Sequence, residues 1–231
     1  MKVFAISDLH LSINSNKPMD IFGPVWDDNF NKIRLDWEQK VSNEDIVLLA
    51  GDLSWAMKLE DALEDIKLLD ELNGKKIILK GNHDYWWQGI TQLRSCLPKD
   101  FYAIQNDALK IENIVFCGTR GWNIPEGKYD TEENRKIYKR EVERLKLSLQ
   151  NMQKLREEND KVICLMHYPP FNAKLEDTDF TKLLEEFNVD YVVFGHIHGN
   201  KYGYKTISSK NGITYFLTSC DLINNNLIKI L

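Results

Sequence analysis

Five histidines in the chain each follow a short apolar run, and two of them stand only two residues apart. That pair lies in the stretch VVFGHIHGN, residues 192–200, and the same spacing occurs in AISDLHLS, where an aspartate and a histidine flank a leucine. Residues i and i+2 point in different directions in a helix but face the same side in an extended segment. The spacing therefore predicts that each pair converges on one object from an extended or turning segment.

Carboxylate and amide side chains accompany the histidines at the ends of the same apolar runs. The candidate groups are His10, His83, His167, His196 and His198, together with Asp8, Asp52, Asn82 and Asp84. Such ligands suit borderline cations such as Mn²⁺, Fe, Zn²⁺ or Ni²⁺, and the four cysteines form no C-x-x-C pair that would suit a cysteine-rich zinc site. Any one histidine alone fits a structural role. The five together, in D-x-H, G-N-H-D and G-H-x-H, indicate a metal site.

The elements that must position these residues alternate between strands and helices. Runs rich in valine and isoleucine predict buried strands at residues 2–7, 45–50, 75–80, 161–166 and 190–194. Apolar residues at helical spacing predict helices over 25–40 and 58–72, which gives βαβ units and a mainly parallel sheet. Because ligands bind at the carboxyl ends of strands in such sheets, we expect the polar groups to meet at one edge.

The later part of the chain predicts a second, more antiparallel sheet. Residues 109–118 fit a hairpin turning at Glu112-Asn113, residues 205–219 carry Asn211-Gly212 between β-rich runs, and residues 225–231 fit a final strand. A charged stretch over 131–159 predicts one long amphipathic helix packed on the sheet edge, with a short coiled-coil seam as the alternative. Its apolar face comprises Tyr138, Val142, Leu145, Leu149 and Met152.

Composition bounds the class of protein. The 231 residues suit one α/β domain over 1–231, and 43% hydrophobic residues are typical of soluble globular chains. A net charge of −5 argues against a partnership with duplex nucleic acid. No run approaches the roughly 18 apolar residues of a membrane span, and the apolar start is interrupted too early, at Asp8, for a signal peptide. We expect a cytoplasmic protein with free cysteines and no evident obligate protein partner.

The motifs SDLHLS, AGDLS, KGNHDYWW, MHYPP and FGHIHG stand in the order and spacing of the calcineurin-like metallophosphoesterases. The chain resembles that superfamily over residues 8–198, and KPMDIFGPVWDDNF and NHDYWW resemble a bacterial branch of predicted phosphoesterases. The resemblance implies an α/β fold, a four-layer αββα sandwich of two mixed β-sheets flanked by helices, with two divalent metals at the strand ends. Its ligands would be Asp8, His10 and His198 for one metal and Asn82, His167 and His196 for the other, with Asp52 bridging both.

The resemblance also assigns the chemistry. His83 would stay off the metals and act on the substrate, and Asp84 would orient His83. The function expected is hydrolysis of a small phosphate ester by hydroxide that the metals activate, with His83 as general acid on the leaving oxygen. A non-catalytic metal-binding scaffold on the same fold is the alternative from a different class.

The expected substrate is a phosphodiester rather than a phosphomonoester. The segment GDLSWAMKLE lacks the arginine that follows the G-D motif in the serine/threonine protein phosphatases of the superfamily. A small-molecule phosphomonoesterase is the alternative, with Arg120 supplying the phosphate contact; a surface salt bridge is the other interpretation of Arg120. Tyr85, Trp86 and Trp87 predict an aromatic wall for the substrate, with plain core packing as the alternative.

Overall fold

Two β-sheets lie face to face in the computed structural model, which describes residues 1–13, 17, 19–199 and 203–231. Pro18 and Asn200, which belong to motifs quoted above, fall outside the described residues. The first sheet has the order β11-β1-β2-β3-β4, with β11 antiparallel to β1 and the other pairings parallel. Its strands are β1 Val3–Ile6, β2 Ile46–Leu49, β3 Lys75–Leu79, β4 Phe101–Ile104 and β11 Ile228–Lys229.

The second sheet has six strands within the described ranges, in the order β5-β6-β7-β8-β10-β9. They are β5 Ala108–Ile111, β6 Ile114–Thr119, β7 Lys161–Met166, β8 Tyr191–Phe194, β9 Ile207–Lys210 and β10 Ile213–Leu217. Both predicted hairpins are confirmed, as the antiparallel pairs β5–β6 and β9–β10. The four inner strands are parallel, so the predicted antiparallel character is confined to the two edges of this sheet.

Helices cover the outer faces of both sheets. They are α1 Asn29–Lys40, α2 Leu59–Asp70, α3 Ile90–Cys96, α4 Glu132–Leu155 and α5 Asp179–Glu186. The first predicted helix begins later than expected, because Pro24–Trp26 forms a separate 3-10 turn before α1. The long predicted helix is confirmed as α4: it starts where the Thr131 hydroxyl accepts the N–H of Asn134, and it packs on β5 and β6.

Alternation along the strands explains why their sequences are apolar without a break. In β1, Val3 and Ala5 belong to the core between the two sheets, whereas Phe4 and Ile6 belong to the core beneath the helices. The same alternation in β6 assigns Phe116 to the core between the sheets, while its neighbours pack under α4 and α5. Strands buried on both faces need apolar residues at every position. The predicted four-layer αββα sandwich is thereby confirmed.

Two further expectations concern the chain as a whole. Cys117, Cys164 and Cys220 are buried and Cys96 is exposed, and all four are free thiols. Among the described residues, no helix combines the length and the apolar character that crossing a membrane requires.

Candidate metal centre

The predicted polar groups gather in the loops that follow five parallel strands. The backbone turns sharply there, because φ is 59° at Asp8, 50° at His10, 52° at Asp52 and 71° at His196. A left-handed conformation costs a residue other than glycine roughly 1–2 kcal/mol, so it persists only where the surroundings impose it. The D-x-H and G-H-x-H pairs therefore lie in turns beyond the strand ends and do not continue the strands.

One group of ligand atoms comes from Asp8, His10 and His198, whose donor atoms all lie within 4.8 Å of one another. Asp8 Oδ1 is 3.6 Å from Nε2 of His198. The His196 amide lies 3.1 Å from both oxygens of Asp8, and the Ser7 hydroxyl donates to Oδ2 at 2.5 Å. Oδ1 therefore accepts fewer hydrogen bonds than Oδ2 and is the oxygen better placed to bind a cation. Burial raises the pKa of Asp8, and the neighbouring His198 and His167 only partly offset this effect.

A second group comes from Asp8, Asp52 and His167, also within 4.8 Å. Oδ2 of Asp52 lies between two imidazoles, 3.9 Å from His10 Nε2 and 3.4 Å from His167 Nε2. His167 Nδ1 is 3.0 Å from the carbonyl oxygen of Ala50, which turns Nε2 toward the centre. Asp52 therefore lies between a histidine of each group, as a bridging carboxylate would, although Asp8 is the carboxylate that both groups share.

Asn82 adds an amide oxygen to the second group. Its Oδ1 lies 2.8 Å from Nε2 of His167 and 2.8 Å from Nδ1 of His196. The three side chains predicted to share one metal thus present their donor atoms to a common point.

The protonation states fit a cation at this place. Burial lowers the pKa of both His10 and His196 to about 3, which leaves them as neutral bases, the form that binds metals. Burial also opposes a charge on His167, but the Asp52 carboxylate outweighs it and raises the pKa of His167 to about 9. A divalent cation between Asp52 and His167 would take over the neutralising role of that proton.

Glycine is required at two positions for the backbone to approach the carboxylates. A Cβ at Gly81 would collide with the Oδ1 and backbone nitrogen of Asp52, and a Cβ at Gly195 would collide with Oδ2 of Asp8 and Oγ of Ser7. The glycines of the G-N-H-D and G-H-x-H motifs are thus part of the geometry that holds the two aspartates.

Asp84 does not contact the ring of His83, which corrects the prediction that it orients that residue. Its buried carboxylate accepts hydrogen bonds from five N–H groups: the backbone amides of Asp52, Leu53, Ser54 and Gly81, at 2.7–3.2 Å, and the indole of Trp86, at 3.0 Å. The hydrogen bonds of Asp84 therefore connect the loop after β2 with the loop after β3. Burial raises the pKa of Asp84 to about 6.

His83 is held in the centre by its own backbone, whose N–H donates to Asp52 Oδ1 at 2.7 Å. Its ring lies 4.4 Å from the ring of Trp55, and its Nδ1 has no hydrogen-bond partner among the described residues. Trp55 also stacks on His10, with 4.7 Å between the ring centroids. A tryptophan thus supports both the predicted proton donor and a predicted ligand.

The predicted aromatic wall is wrong for two of its three members. Trp86 has no exposed surface and Trp87 is 7% exposed, because both pack in the core beneath the helices of the first sheet. The Trp87 indole donates to Gln105 Oε1 at 2.6 Å, which fixes it there. Only Tyr85, at 55% exposure and 6.3 Å from the His83 ring, remains available to a substrate.

Arg120 forms the salt bridge that was the alternative to a phosphate contact. Its Nη2 lies 3.6 Å from Oε1 of Glu141, and its guanidinium lies 4.7 Å from the centre of the Trp122 ring. Glu141 is buried on the sheet side of α4, so the ion pair is an internal one and not a surface one.

A cleft of about 530 Å³ opens beside the two histidines of the G-H-x-H motif. Its walls include Trp122, Lys128, Tyr129, Tyr168, His196 and His198. The Tyr168 ring lies 4.0 Å from the ring of His196, so the cleft is continuous with the candidate ligands. The loops after β6 and β7 therefore supply Trp122, Tyr129 and Tyr168 to this cleft, and Tyr85 is the one exposed aromatic residue that the DYWW segment adds.

Several residues of the centre were not predicted. Oδ1 of Asp221 lies 3.0 Å from Nδ1 of His198, and its Oδ2 accepts the N–H of Gly199 at 2.9 Å. Like the predicted ligands, Asp221 follows an apolar strand, β10, and that signal could have identified it. The contacts of Trp55 and Tyr168 carry no such sequence signal.

Comparisons with known proteins give the fold and the family. The protein TT1561 of Thermus thermophilus has a TM-score of 0.61 at 15% identity, covering 98% of this chain and 96% of that one. The phosphopantetheinyl hydrolase PptH of Mycobacterium tuberculosis has a TM-score of 0.58 at 14% identity, with coverage of 100% and 95%. The protein AQ665 of Aquifex aeolicus has a TM-score of 0.52 at 14% identity, with coverage of 99% and 95%.

No curated protein sequence matches this chain. The sequence profile of the calcineurin-like phosphoesterases matches residues 1–200, which include every predicted ligand. That range spans most of the chain and contains the whole arrangement of predicted carboxylate and imidazole ligands described above. The chain belongs to the calcineurin-like phosphoesterase family.

Proposed function

We propose that this protein hydrolyses a small phosphate ester, a phosphodiester in preference to a phosphomonoester, with two divalent metal ions in the centre. The observation that carries the proposal is the convergence of two ligand groups, Asp8 with His10 and His198 and Asp8 with Asp52 and His167, each within 4.8 Å. The cleft of about 530 Å³ beside them is large enough for the organic part of an ester.

The electrostatics of the centre favour an anionic substrate once cations are bound. Asp8 and Asp52 are the two carboxylates among the predicted ligands, so two divalent cations would leave the ligand set with a net charge of about +2. Cations held there would neutralise charge on the phosphoryl oxygens and make water a better nucleophile. The protein's own contribution is to fix the ligands in turns with little freedom, which keeps a bound phosphate in one orientation.

His83 is the side chain that we assign to proton transfer. Its N–H bond to Asp52 and its packing on Trp55 hold the ring next to the centre. Burial lowers the pKa of His83, and the negative charge of a bound phosphate would raise it again. The protonated ring would then donate to the leaving oxygen of the ester.

The preference for diesters rests on two observations about phosphate contacts. The segment after the G-D motif, residues 53–60, contains no arginine, and Arg120 is engaged with the buried carboxylate of Glu141. The segment supplies no guanidinium, and that of Arg120 is held at Glu141 and does not line the cleft, so neither grips the dianion of a monoester there. The rings of Trp122 and Tyr129 in the cleft could stack on the second substituent of a diester, a contact worth about 1–3 kcal/mol per stacked base.

The test compares kcat/KM for bis-(p-nitrophenyl) phosphate and p-nitrophenyl phosphate in protein reconstituted with Mn²⁺. We expect turnover only with metal and a higher kcat/KM for the diester. A clear preference for the monoester that Arg120→Ala abolishes would make the protein a small-molecule phosphomonoesterase instead. Metal binding with no turnover of any phosphate ester in a broad panel would support the scaffold.

His83→Ala separates proton transfer from metal binding. We expect it to keep its metals and to lose roughly 10²–10⁴-fold in turnover, less with a good leaving group that needs no protonation. An equal loss for good and poor leaving groups would contradict the role of general acid.

A further inference from the structure

A second recess, of about 310 Å³, lies at the ends of β3, β4 and β6 against α4. We call it the basic pocket, and its charged members are Lys80, Arg120, Arg140, Glu141 and Arg144. It adjoins the candidate metal centre without sharing a ligand with it. Lys80 precedes the G-N-H-D motif, and the carbonyl oxygen of Arg120 accepts the N–H of His167 at 3.0 Å.

The charges in the basic pocket do not balance. Glu141 is the one carboxylate among its lining residues; it lies 2.6 Å from Arg144 Nη1, 3.6 Å from Arg120 Nη2 and 4.0 Å from Arg140 Nε. The Lys80 ammonium group forms no hydrogen bond or ion pair with the part of the chain that the structure describes. The Asp84 carboxylate, which is not part of the lining, attracts Lys80 from beyond ion-pair distance. Four basic side chains facing one carboxylate leave an excess of positive charge in a half-buried space.

The neutral groups of the basic pocket also present donors. Oε1 of Gln105 accepts the indole N–H of Trp87, and Oδ1 of Asn106 accepts the Thr119 hydroxyl at 2.9 Å. Because the amide oxygens of both residues already accept hydrogen bonds, their NH₂ groups are the atoms that could donate to a ligand. Nε of Arg120 is buried and has no hydrogen-bond partner among the described residues. Buried donors are normally satisfied, so Nε of Arg120 indicates a missing acceptor.

A purely structural role does not account for this arrangement. The four basic side chains repel one another around a single carboxylate, and an apolar side chain at the position of Lys80 would remove part of that repulsion. We propose that the basic pocket binds a small oxyanion, a phosphate or a carboxylate group, next to the metal centre. The oxyanion is either a second acidic group of the substrate, which rests on the function proposed above, or a free inorganic anion.

The first test measures binding of inorganic phosphate by calorimetry, in chelator-treated protein and again after reloading with Mn²⁺. Treatment with chelator removes binding to metals, so the phosphate that remains reports the basic pocket and needs no turnover. We expect one equivalent with salt-sensitive affinity, weakened at least tenfold in Lys80→Met. Arg140→Met, at the more exposed edge, should weaken binding less. Lys136→Met, an exposed lysine on the same helix, is the matched control and should bind as the wild type does.

Thermal unfolding distinguishes a loss of phosphate binding from misfolding of the variant. Lys80→Met should unfold at the wild-type temperature or above, because it removes an unpaired charge, and phosphate should raise the unfolding temperature of the wild type but not that of Lys80→Met. Absence of phosphate binding to the chelator-treated wild type, or equal binding by Lys80→Met, would overturn the proposal.

The second test identifies the source of the oxyanion. KM is compared in the Mn²⁺ protein for phenyl phosphate esters with and without a carboxylate on the ring. A lower KM for the carboxylated ester that disappears in Lys80→Met supports an acidic group of the substrate. Equal KM values together with phosphate binding in the first test support a free anion. Because the first test does not depend on turnover, failure of the proposed esterase activity would not be mistaken for failure of the basic pocket.

Discussion

Aspartates lie at both ends of the strands, but their carboxylates have different partners at the two edges of the sheets. At the amino-terminal edge, Asp45, Asp160 and Asp190 directly precede β2, β7 and β8. Each accepts a backbone N–H group: Asp45 from Ser42 at 2.9 Å, Asp160 from Glu157 at 2.7 Å and Asp190 from Val162 at 2.9 Å. These carboxylates are satisfied by the protein itself.

Lysine side chains pair with aspartates of the amino-terminal edge, whereas at the carboxyl-terminal edge Asp8 and Asp52 face histidines. Lys110 lies 2.6 Å from Asp160, and this pair lowers the pKa of Asp160. At the carboxyl-terminal edge burial raises the pKa of Asp8, and no lysine or arginine pairs with it among the described residues. An aspartate beside a strand is therefore structural where the chain supplies its counter-charge, and a candidate ligand where the charge must come from outside.

The largest effect should follow from Asp52→Asn. Asp52 is the carboxylate between both ligand groups, so we expect both metal sites to be disrupted and turnover to disappear. Metal analysis and the diester assay measure the two outcomes. Asp190→Asn, at the opposite edge, is the control and should keep both metals and activity. Two tightly held equivalents in Asp52→Asn would show that Asp52 does not bridge.

Gly81→Ala tests whether the approach of the backbone to Asp52 is required. The added Cβ would collide with backbone and carboxylate atoms of Asp52, and such overpacking typically costs about 1–3 kcal/mol, more where backbone must move. We expect a lower free energy of unfolding in urea and weaker metal binding. Gly89→Ala, whose Cβ would meet no atom within 4 Å, is the matched control. Wild-type stability in Gly81→Ala would contradict the packing argument.

Asp221→Ala tests a carboxylate that acts through another residue. Asp221 lies 3.0 Å from Nδ1 of His198 and so presents the other ring nitrogen to the centre. Loss of such a partner typically lowers metal affinity about 10–100-fold. Titration with Mn²⁺ measures the change, and Asp190→Ala should have no effect on it. Rescue of affinity by Asp221→Asn but not by Asp221→Ala would confirm that the contact orients His198.

The smallest effect is expected at the amino-terminal edge, from Asp45→Asn. Partial burial opposes ionisation of Asp45, but hydrogen bonds from Ser42 and Lys2 outweigh it and lower its pKa from 3.8. Because its pKa is lower in the folded state, ionised Asp45 stabilises the fold at pH values above 3.8. This contribution to stability is lost as the pH falls through the folded-state pKa. Urea unfolding at pH 7 should show a loss of about 1 kcal/mol in the variant, shrinking as the pH is lowered below 3.8. A difference that stays equal across that range would contradict the electrostatic explanation.

The groups that meet at the centre could be predicted because each lies in a short motif at the end of an apolar run. Strands buried on both faces and hairpin turns such as Asn211-Gly212 are local features, and they were predicted for the same reason. The strand β4 and the helices α3 and α5 were missed, since four to eight residues carry too little periodicity. A stronger signal for α5 was available, because Thr178 and Thr181 form a reciprocal capping box.

The errors around the centre concern partners that are distant in sequence. Asp84 was assigned to its neighbour His83, but its hydrogen bonds come largely from the loop after β2, including the amide of Ser54, which lies 30 residues earlier. Trp86 was placed in the substrate site because a run of aromatic residues does not reveal which ring faces inward. Glu141, the partner of Arg120, sits on the apolar face of a helix whose pattern gave no reason to expect a buried acid. Motifs name candidate ligands, whereas the contacts that orient them depend on the tertiary fold.

The link between the two sheets at Ser7 has a consequence for how the protein folds. The Ser7 N–H donates to the carbonyl of Thr218 at 2.8 Å, and the hydroxyls of the same two residues are hydrogen-bonded at 3.2 Å across 211 positions of sequence. Contacts of such long sequence separation slow folding, because the chain must close a large loop before they form. Asp8 follows directly, so the first ligand group is complete only after both sheets have docked. The time course of metal uptake during refolding would therefore follow the docking of the sheets and not the formation of either one.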